Sequence, residues 1–104
     1  MININIKDHY GKEIGGREAG QRLRLFLEDN WSSTDRFEVD FDQNKIASIS
    51  FFDEVFGKLV FKYAPSELKT KLVLKNIDPL DKELLNSVIN DRSKGKNKTD
   101  ENLK

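Results

Sequence analysis

The stretch Phe37-Glu-Val-Asp-Phe-Asp-Gln-Asn-Lys-Ile-Ala-Ser-Ile-Ser-Phe-Phe-Asp-Glu-Val-Phe-Gly-Lys-Leu59 decides the fold, because it passes from strand chemistry to helix chemistry within a few residues. Phe37, Val39 and Phe41 alternate with Glu38 and Asp40, the period of a half-buried strand. Ile46 to Ile49 forms a second short β-favouring stretch. The period then changes. Ser50 is followed three residues later by Asp53, with Glu54 beside it, a serine-to-acid spacing that starts helices. Phe52, Val55, Phe56 and Leu59 then recur at helical steps. Ser50 is the expected N-cap, and a functional site is expected where the two periods meet.

Working outward, Ile2, Ile4 and Ile6 place three β-branched residues on one face of a first strand, which the polar run Lys7 to Lys12 with Gly11 should end in a loop carrying His9. Gly15-Gly16-Arg17 precedes an amphipathic helix in which Ala19, Leu23, Phe26, Leu27 and Trp31 recur at three- and four-residue steps. Gly20 inside it costs about 1 kcal/mol relative to alanine, which fits either a close contact or a solvent-facing turn. Asn30 to Asp35 reads as a loop. The central helix should stop before Pro65, because a residue preceding proline is pushed out of the α region. Lys71 to Ile77 contains the compact strand Leu72-Val73-Leu74, and Asp78-Pro79 opens a last helix with Leu80, Leu84, Leu85, Val88 and Ile89 on its apolar side. From Asp91 the apolar pattern fails, so a domain over residues 1–90 is expected to carry a flexible polar tail over 91–104. The order β, α, β, α, β, α predicts a layered α/β domain, with α+β as the alternative.

Composition narrows the function. The 104 residues carry 18 basic and 18 acidic side chains, so no global basic field draws the chain to nucleic acid. There is no cysteine and a single histidine, His9. Disulfides, thiolate zinc sites and multi-histidine centres within one chain are thereby excluded. No apolar run approaches the roughly 20 residues that span a bilayer, and the alternating N-terminus lacks the pattern of a signal peptide. A cytoplasmic protein without a membrane or nucleic-acid partner is expected; the lysine-rich tail is the weaker nucleic-acid alternative.

Three features carry a family resemblance: the Gly16-Arg17 helix start with Leu23 behind it, the Val39-Asp40-Phe41 strand, and the run Ile49-Ser-Phe-Phe-Asp-Glu-Val-Phe-Gly-Lys-Leu59. Over roughly Ile2 to Ile89 the chain resembles the STAS-like domain family of unknown function, small bacterial relatives of the STAS fold of anti-sigma-factor antagonists. The resemblance implies a mixed sheet with helices packed on it, and a non-catalytic, protein-binding signalling module without a cofactor. Its implied partner is a histidine-kinase-like ATPase that phosphorylates a serine at the start of the helix after a central strand. Ser50 is the approximate counterpart of that serine and Ser48 the second candidate. Where antagonists carry an Asp-Ser-Ser-Gly turn, this chain has Ile49-Ser50-Phe51-Phe52, and Asp53 and Glu54 should repel a phosphate placed there.

The implied partner-binding residues are Arg17, Ser50, Phe51, Asp53 and Glu54. Asp53 and Glu54 also suit the positive end of a helix. Arg17 is a cation at a helix start, which calls either for pairing with Asp53 or Glu54 or for an anionic ligand. Phe51, Phe52 and Phe56 cannot all face inward equally, so Phe51 or a neighbour is expected to be partly exposed as an interface anchor. The competing reading is a small metal-dependent hydrolase using Asp40, Asp42, Asp53 and Glu54. Strand alternation opposes it, since it places Asp40 and Asp42 with Glu38 on a solvated acidic face.

Overall fold

The computed structural model describes residues 1–10, 16–42 and 44–102. Three strands form one sheet, β1 (Ile2–Asn5), β2 (Phe37–Asp40) and β3 (Leu72–Lys75), in the order β1-β2-β3 with both pairs parallel. Registers align Ile2, Phe37 and Leu72 across the sheet, then Ile4, Val39 and Leu74, so that these six apolar residues share one face. The intervening positions Asn3, Glu38 and Val73, then Asn5, Asp40 and Lys75, share the other. Consecutive parallel neighbours joined by crossovers of one hand bring their helices to the same side. Burial agrees: Ile4, Phe37 and Val39 are buried while Asn3 and Lys75 are exposed. The molecule is thus a two-layer α/β domain with one polar, open sheet face, on which Lys75 Nζ lies 3.2 Å from Glu38 Oε1.

The helical layer holds α1 (Ile6–Tyr10), α2 (Arg17–Asp29), α3 (Ile49–Phe52), a π-helical segment (Asp53–Gly57), α4 (Lys58–Lys62), α5 (Pro65–Lys71) and α6 (Pro79–Asn102). From α3 to α4 the backbone stays in the right-handed helical region at every junction, so residues 49–62 are one central helix with a widened middle. Its Phe51, Phe52, Val55, Phe56 and Leu59 fill the core against α2 (Leu23, Leu27), the sheet and α6 (Leu85, Val88).

The α/β class and the strands around Phe37 and Leu72 agree with the sequence reading, and several details differ. The sheet is parallel throughout rather than mixed. Ile6 is buried but opens α1, and His9 lies in that helix rather than in a loop; its side chain, like Gly15 of the glycine pair, lies outside the described residues. The stretch Ile46 to Ile49 forms no strand, because the Ile46 and Ala47 amides are taken by the Asp81 carboxylate. Pro65 ends the central helix as expected and at the same time starts α5, since its fixed φ suits the first helical position. Where a polar tail is expected from Asp91, α6 continues as helix to Asn102. A polar helix end lacks the apolar stripe by which a helix is recognised in sequence.

Trp31 pins the far end of the layer. Its ring stacks on Tyr63 at 4.1 Å and its Nε1–H donates to Glu67 Oε1 at 2.8 Å, while the Lys71 ammonium donates to the carbonyls of Trp31 and Thr34. The end of α2 is thereby tied to both ends of α5.

Candidate functional site

The site forms where the chain leaves β2 for the central helix. Asp81, fully buried in the first turn of α6, accepts the Ile46 N–H at 2.7 Å and the Ala47 N–H at 2.8 Å. These amides therefore pair with a carboxylate instead of a neighbouring strand. Ala47 takes a left-handed φ of 50° and the chain turns into the helix two residues earlier than expected. The N-cap is Ser48, not Ser50: Ser48 Oγ accepts the Phe51 N–H at 3.1 Å. The same oxygen accepts the Gly16 N–H at 3.2 Å, joining the start of α2 to the start of the central helix. Gly16 holds φ at 104°, a region that a side chain would strain.

This shift rotates the first turn. Phe51 is fully buried and meets Phe52 edge-on at 5.6 Å, so it is a core residue and not an exposed anchor. Ile49 takes the outward position instead, with 60% of its surface exposed. Ser50, half-buried, follows it in the first turn.

One turn further on, Asp53 and Glu54 lie on the π-helical segment, in which the Lys58 N–H reaches back five residues to Asp53 O. Such widened turns occur frequently at functional sites. Glu54 is buried and meets three cations: Lys58 Nζ at 2.8 Å, Arg17 Nη1 at 3.2 Å and Arg24 Nη2 at 3.5 Å. Arg24 also donates from Nε to the Glu54 carbonyl at 3.1 Å. Asp53 is gripped by Arg92 of α6 through two bonds of 2.7 Å, with Arg17 Nη1 at 3.7 Å. Arg17 thus bridges both carboxylates, the structural pairing foreseen for it. Glu28 extends the network, 3.4 Å from Arg24 and 3.6 Å from Lys62.

Two glycines make the room. A Cβ on Gly20 would stand 2.9 Å from both Phe51 O and Glu54 Cβ, so α2 and the central helix approach closely there, the tighter of the two sequence readings of this residue. A Cβ on Gly57 would meet Asp53 Oδ1 at 2.7 Å and Arg92 Cγ at 3.2 Å. Arg92 therefore lies across Gly57, reaching Asp53 on one side and standing 5.4 Å from the Phe61 ring centroid on the other.

The electrostatics follow from these contacts. The Arg92 hydrogen bonds hold the Asp53 carboxyl below its ordinary pKa against an opposing burial effect, and the Lys58 hydrogen bond does the same for Glu54. Asp53 in turn raises Arg92. Both carboxylates are therefore ionised at neutral pH, and each is paired with basic side chains.

The carboxylates of the hydrolase reading do not converge. Asp40 accepts Asn76 Nδ2–H at 3.0 Å and the Asp42 N–H at 2.8 Å, which in that order lower its pKa, at the end of the open sheet face. Asp53 and Glu54 belong to the ionic network in the helical layer. Among the described residues no group of three or more His, Asp or Glu side chains could hold a metal ion. An apolar cleft of about 170 Å³ between β3 and α6, walled by Leu68, Leu72, Leu74, Leu85 and Ile89, carries no carboxylate. Among the described residues no helix is long and apolar enough to cross a membrane.

Sequence reasoning missed Arg24, Lys58, Gly57 and Arg92. The first two had a signal, since Arg24–Glu28 and Glu54–Lys58 stand four apart on helices. Arg92 had none, being in a segment without apolar period.

A family model described as a STAS-like domain of unknown function matches residues 19–82. This is a narrower span than Ile2 to Ile89 and leaves Arg17 and Arg92 outside it. No curated protein and no solved structure matches the chain.

Proposed function

From the premise that the chain belongs to the family of STAS-like domains of unknown function, we propose that it is a regulatory, protein-binding module that catalyses no reaction itself. STAS-like domains are in general non-enzymatic. Its partner in this reading is a histidine-kinase-like ATPase, and the contact surface is the start of the central helix with the start of α2. The observation that carries the reading is Ile49. A large apolar side chain stands exposed at a helix start, flanked by Ser48 and Ser50 and next to the α2 start that carries Arg17, an arrangement suited to a polar-rimmed apolar contact. Asp53 and Glu54 act in it by holding Arg17.

The same surface suits a phosphate switch on Ser50. Ser48 Oγ is already engaged by two backbone N–H groups, which fits a structural cap. Ser50 lies in the first turn, where the helix dipole favours an added negative charge, one turn from carboxylates whose charge is matched by Arg17, Arg24, Lys58 and Arg92. The test is to mix the chain with the histidine-kinase-like ATPases of its source cell and radiolabelled ATP, and to measure complex formation by calorimetry. The expected result is a complex lost in Ile49→Asp and Arg17→Glu, with label lost in Ser50→Ala and kept in Ser48→Ala. A complex that both surface variants form as well as the parent would overturn the protein-binding reading. Label that survives Ser50→Ala would overturn the switch alone.

A further inference from the structure

The ionic network is layered. Glu28, Asp53 and Glu54 have side chains only 17, 17 and 7% exposed, whereas Arg17, Lys58 and Lys62 are 61, 43 and 55% exposed. Arg24, 15% exposed, is buried with the carboxylates and Arg92 is 34% exposed, while Arg17, Lys58 and Lys62 stand above them. Five cations, Arg17, Arg24, Lys58, Lys62 and Arg92, serve these three carboxylates, so a protein with no net charge presents a positive strip along the outside of its helical layer. Lys58, Phe61 and Lys62 stand at helical spacings of three and four, which puts them on one face of α4. Phe61 is 44% exposed, with the Arg92 guanidinium over its ring. An apolar anchor framed by cations is the complement of a segment in which an apolar side chain is flanked by carboxylates.

We infer that the strip formed by Arg17, Lys58, Phe61, Lys62 and Arg92 docks an acidic segment of the protein partner, with an apolar residue of that segment against Phe61. The inference rests on the protein-binding reading above and adds the chemistry of what is bound. Charge complementarity selects the occupant. The five cations outnumber the three carboxylates they pair with, and the surplus positive charge stands on the more exposed side, where an incoming carboxylate can meet it. A nucleic-acid strand would also find positive charge, but the strip offers one aromatic ring where strand binding uses several stacking platforms.

The test is a phage-displayed library of short random peptides panned against the full chain. Enriched peptides are then synthesised and titrated by fluorescence anisotropy into the parent, the double variant Lys58→Gln/Lys62→Gln, Phe61→Ala, Ile49→Asp and the control Lys75→Gln on the open sheet face. The fold of each variant is checked through the single Trp31. Enrichment of Asp- and Glu-rich peptides with one apolar residue is expected. Their affinity should fall at least about tenfold in the double variant and in Phe61→Ala, stay unchanged in Lys75→Gln, and fall with added salt. Peptides without acidic residues, equal binding by the double variant, or an equal loss in Lys75→Gln would each overturn the strip. Peptides lost only in Ile49→Asp would overturn it while leaving the protein-binding reading intact, and no enrichment would count against both. Tighter binding of a single-stranded oligonucleotide than of any peptide would reassign the strip to nucleic acid and so overturn the inference.

Discussion

At the scale of single residues, the helix start depends on small groups in fixed places. Gly20 faces the Phe51 carbonyl, a backbone atom that cannot swing aside, so Gly20→Ala should cost about 1–3 kcal/mol in spite of alanine's better helix propensity. Urea denaturation followed by Trp31 fluorescence measures this directly. Asp81→Ala leaves the Ile46 and Ala47 amides without their acceptor and should cost about 3 kcal/mol, readable in the same experiment. Ala47→Gly works in the opposite direction. At φ 50° the alanine Cβ is crowded, and its removal should stabilise the fold by about 1 kcal/mol, unless the midpoint in urea stays where it was or falls.

At the scale of elements, the central helix is held between α2 and α6 by opposite charges as well as by its apolar face. Glu54 carries the ties to α2 and Asp53 the tie to α6. Removing Arg92 should cost about 1–3 kcal/mol, toward the lower end because Arg92 is partly solvated. The pH dependence has a definite sign. The folded-state pKa values of Asp53 and Glu54 are depressed, so the unfolded chain binds more protons once the pH falls through the ordinary carboxylate range near about 4. Their stabilisation is complete above that range and is lost as pH drops toward the folded-state values. Thermal melts from neutral to acid pH should therefore be flat at first and then descend, and the descent should be shallower in Asp53→Asn. An Asp53→Asn variant whose acid limb matches the parent's would show that the Asp53 pairing does not set the acid sensitivity.

At the scale of the whole molecule, net charge is a poor guide to interaction. A domain with a formal charge of zero still separates its charges by depth, carboxylates under Arg17, Lys58 and Lys62 on the helical layer, while its sheet presents a mixed polar face. The partner complex should therefore weaken as salt rises through the range in which the Debye length shrinks from about 10 to 3 Å, even though the isolated domain should melt at nearly the same temperature. Calorimetric titration at two salt concentrations, with melts as the control, measures both. An affinity indifferent to salt would mean that Ile49 alone, without the cations, carries the contact.

What the sequence determined by itself is what depends on local period. The alternation around Val39, the helical steps of Leu23 and Leu27, and the stop at Pro65 each report burial or backbone restriction within a few neighbouring residues, and the family resemblance rests on such short runs. The tertiary structure decided everything that needed a distant partner. Ile46 and Ala47 look β-favouring until a carboxylate 34 residues or more along the chain takes their amides. Ser50 is the better cap by local spacing until Ser48 also has the start of α2 to hold. Phe51 faces inward because that cap turns the first helical turn, and Arg92 enters the site because Gly57 lets it lie across the central helix. Hydrogen-bond partners and close approaches across the chain leave no period in sequence, and in this protein they set which residues of the helix start face outward.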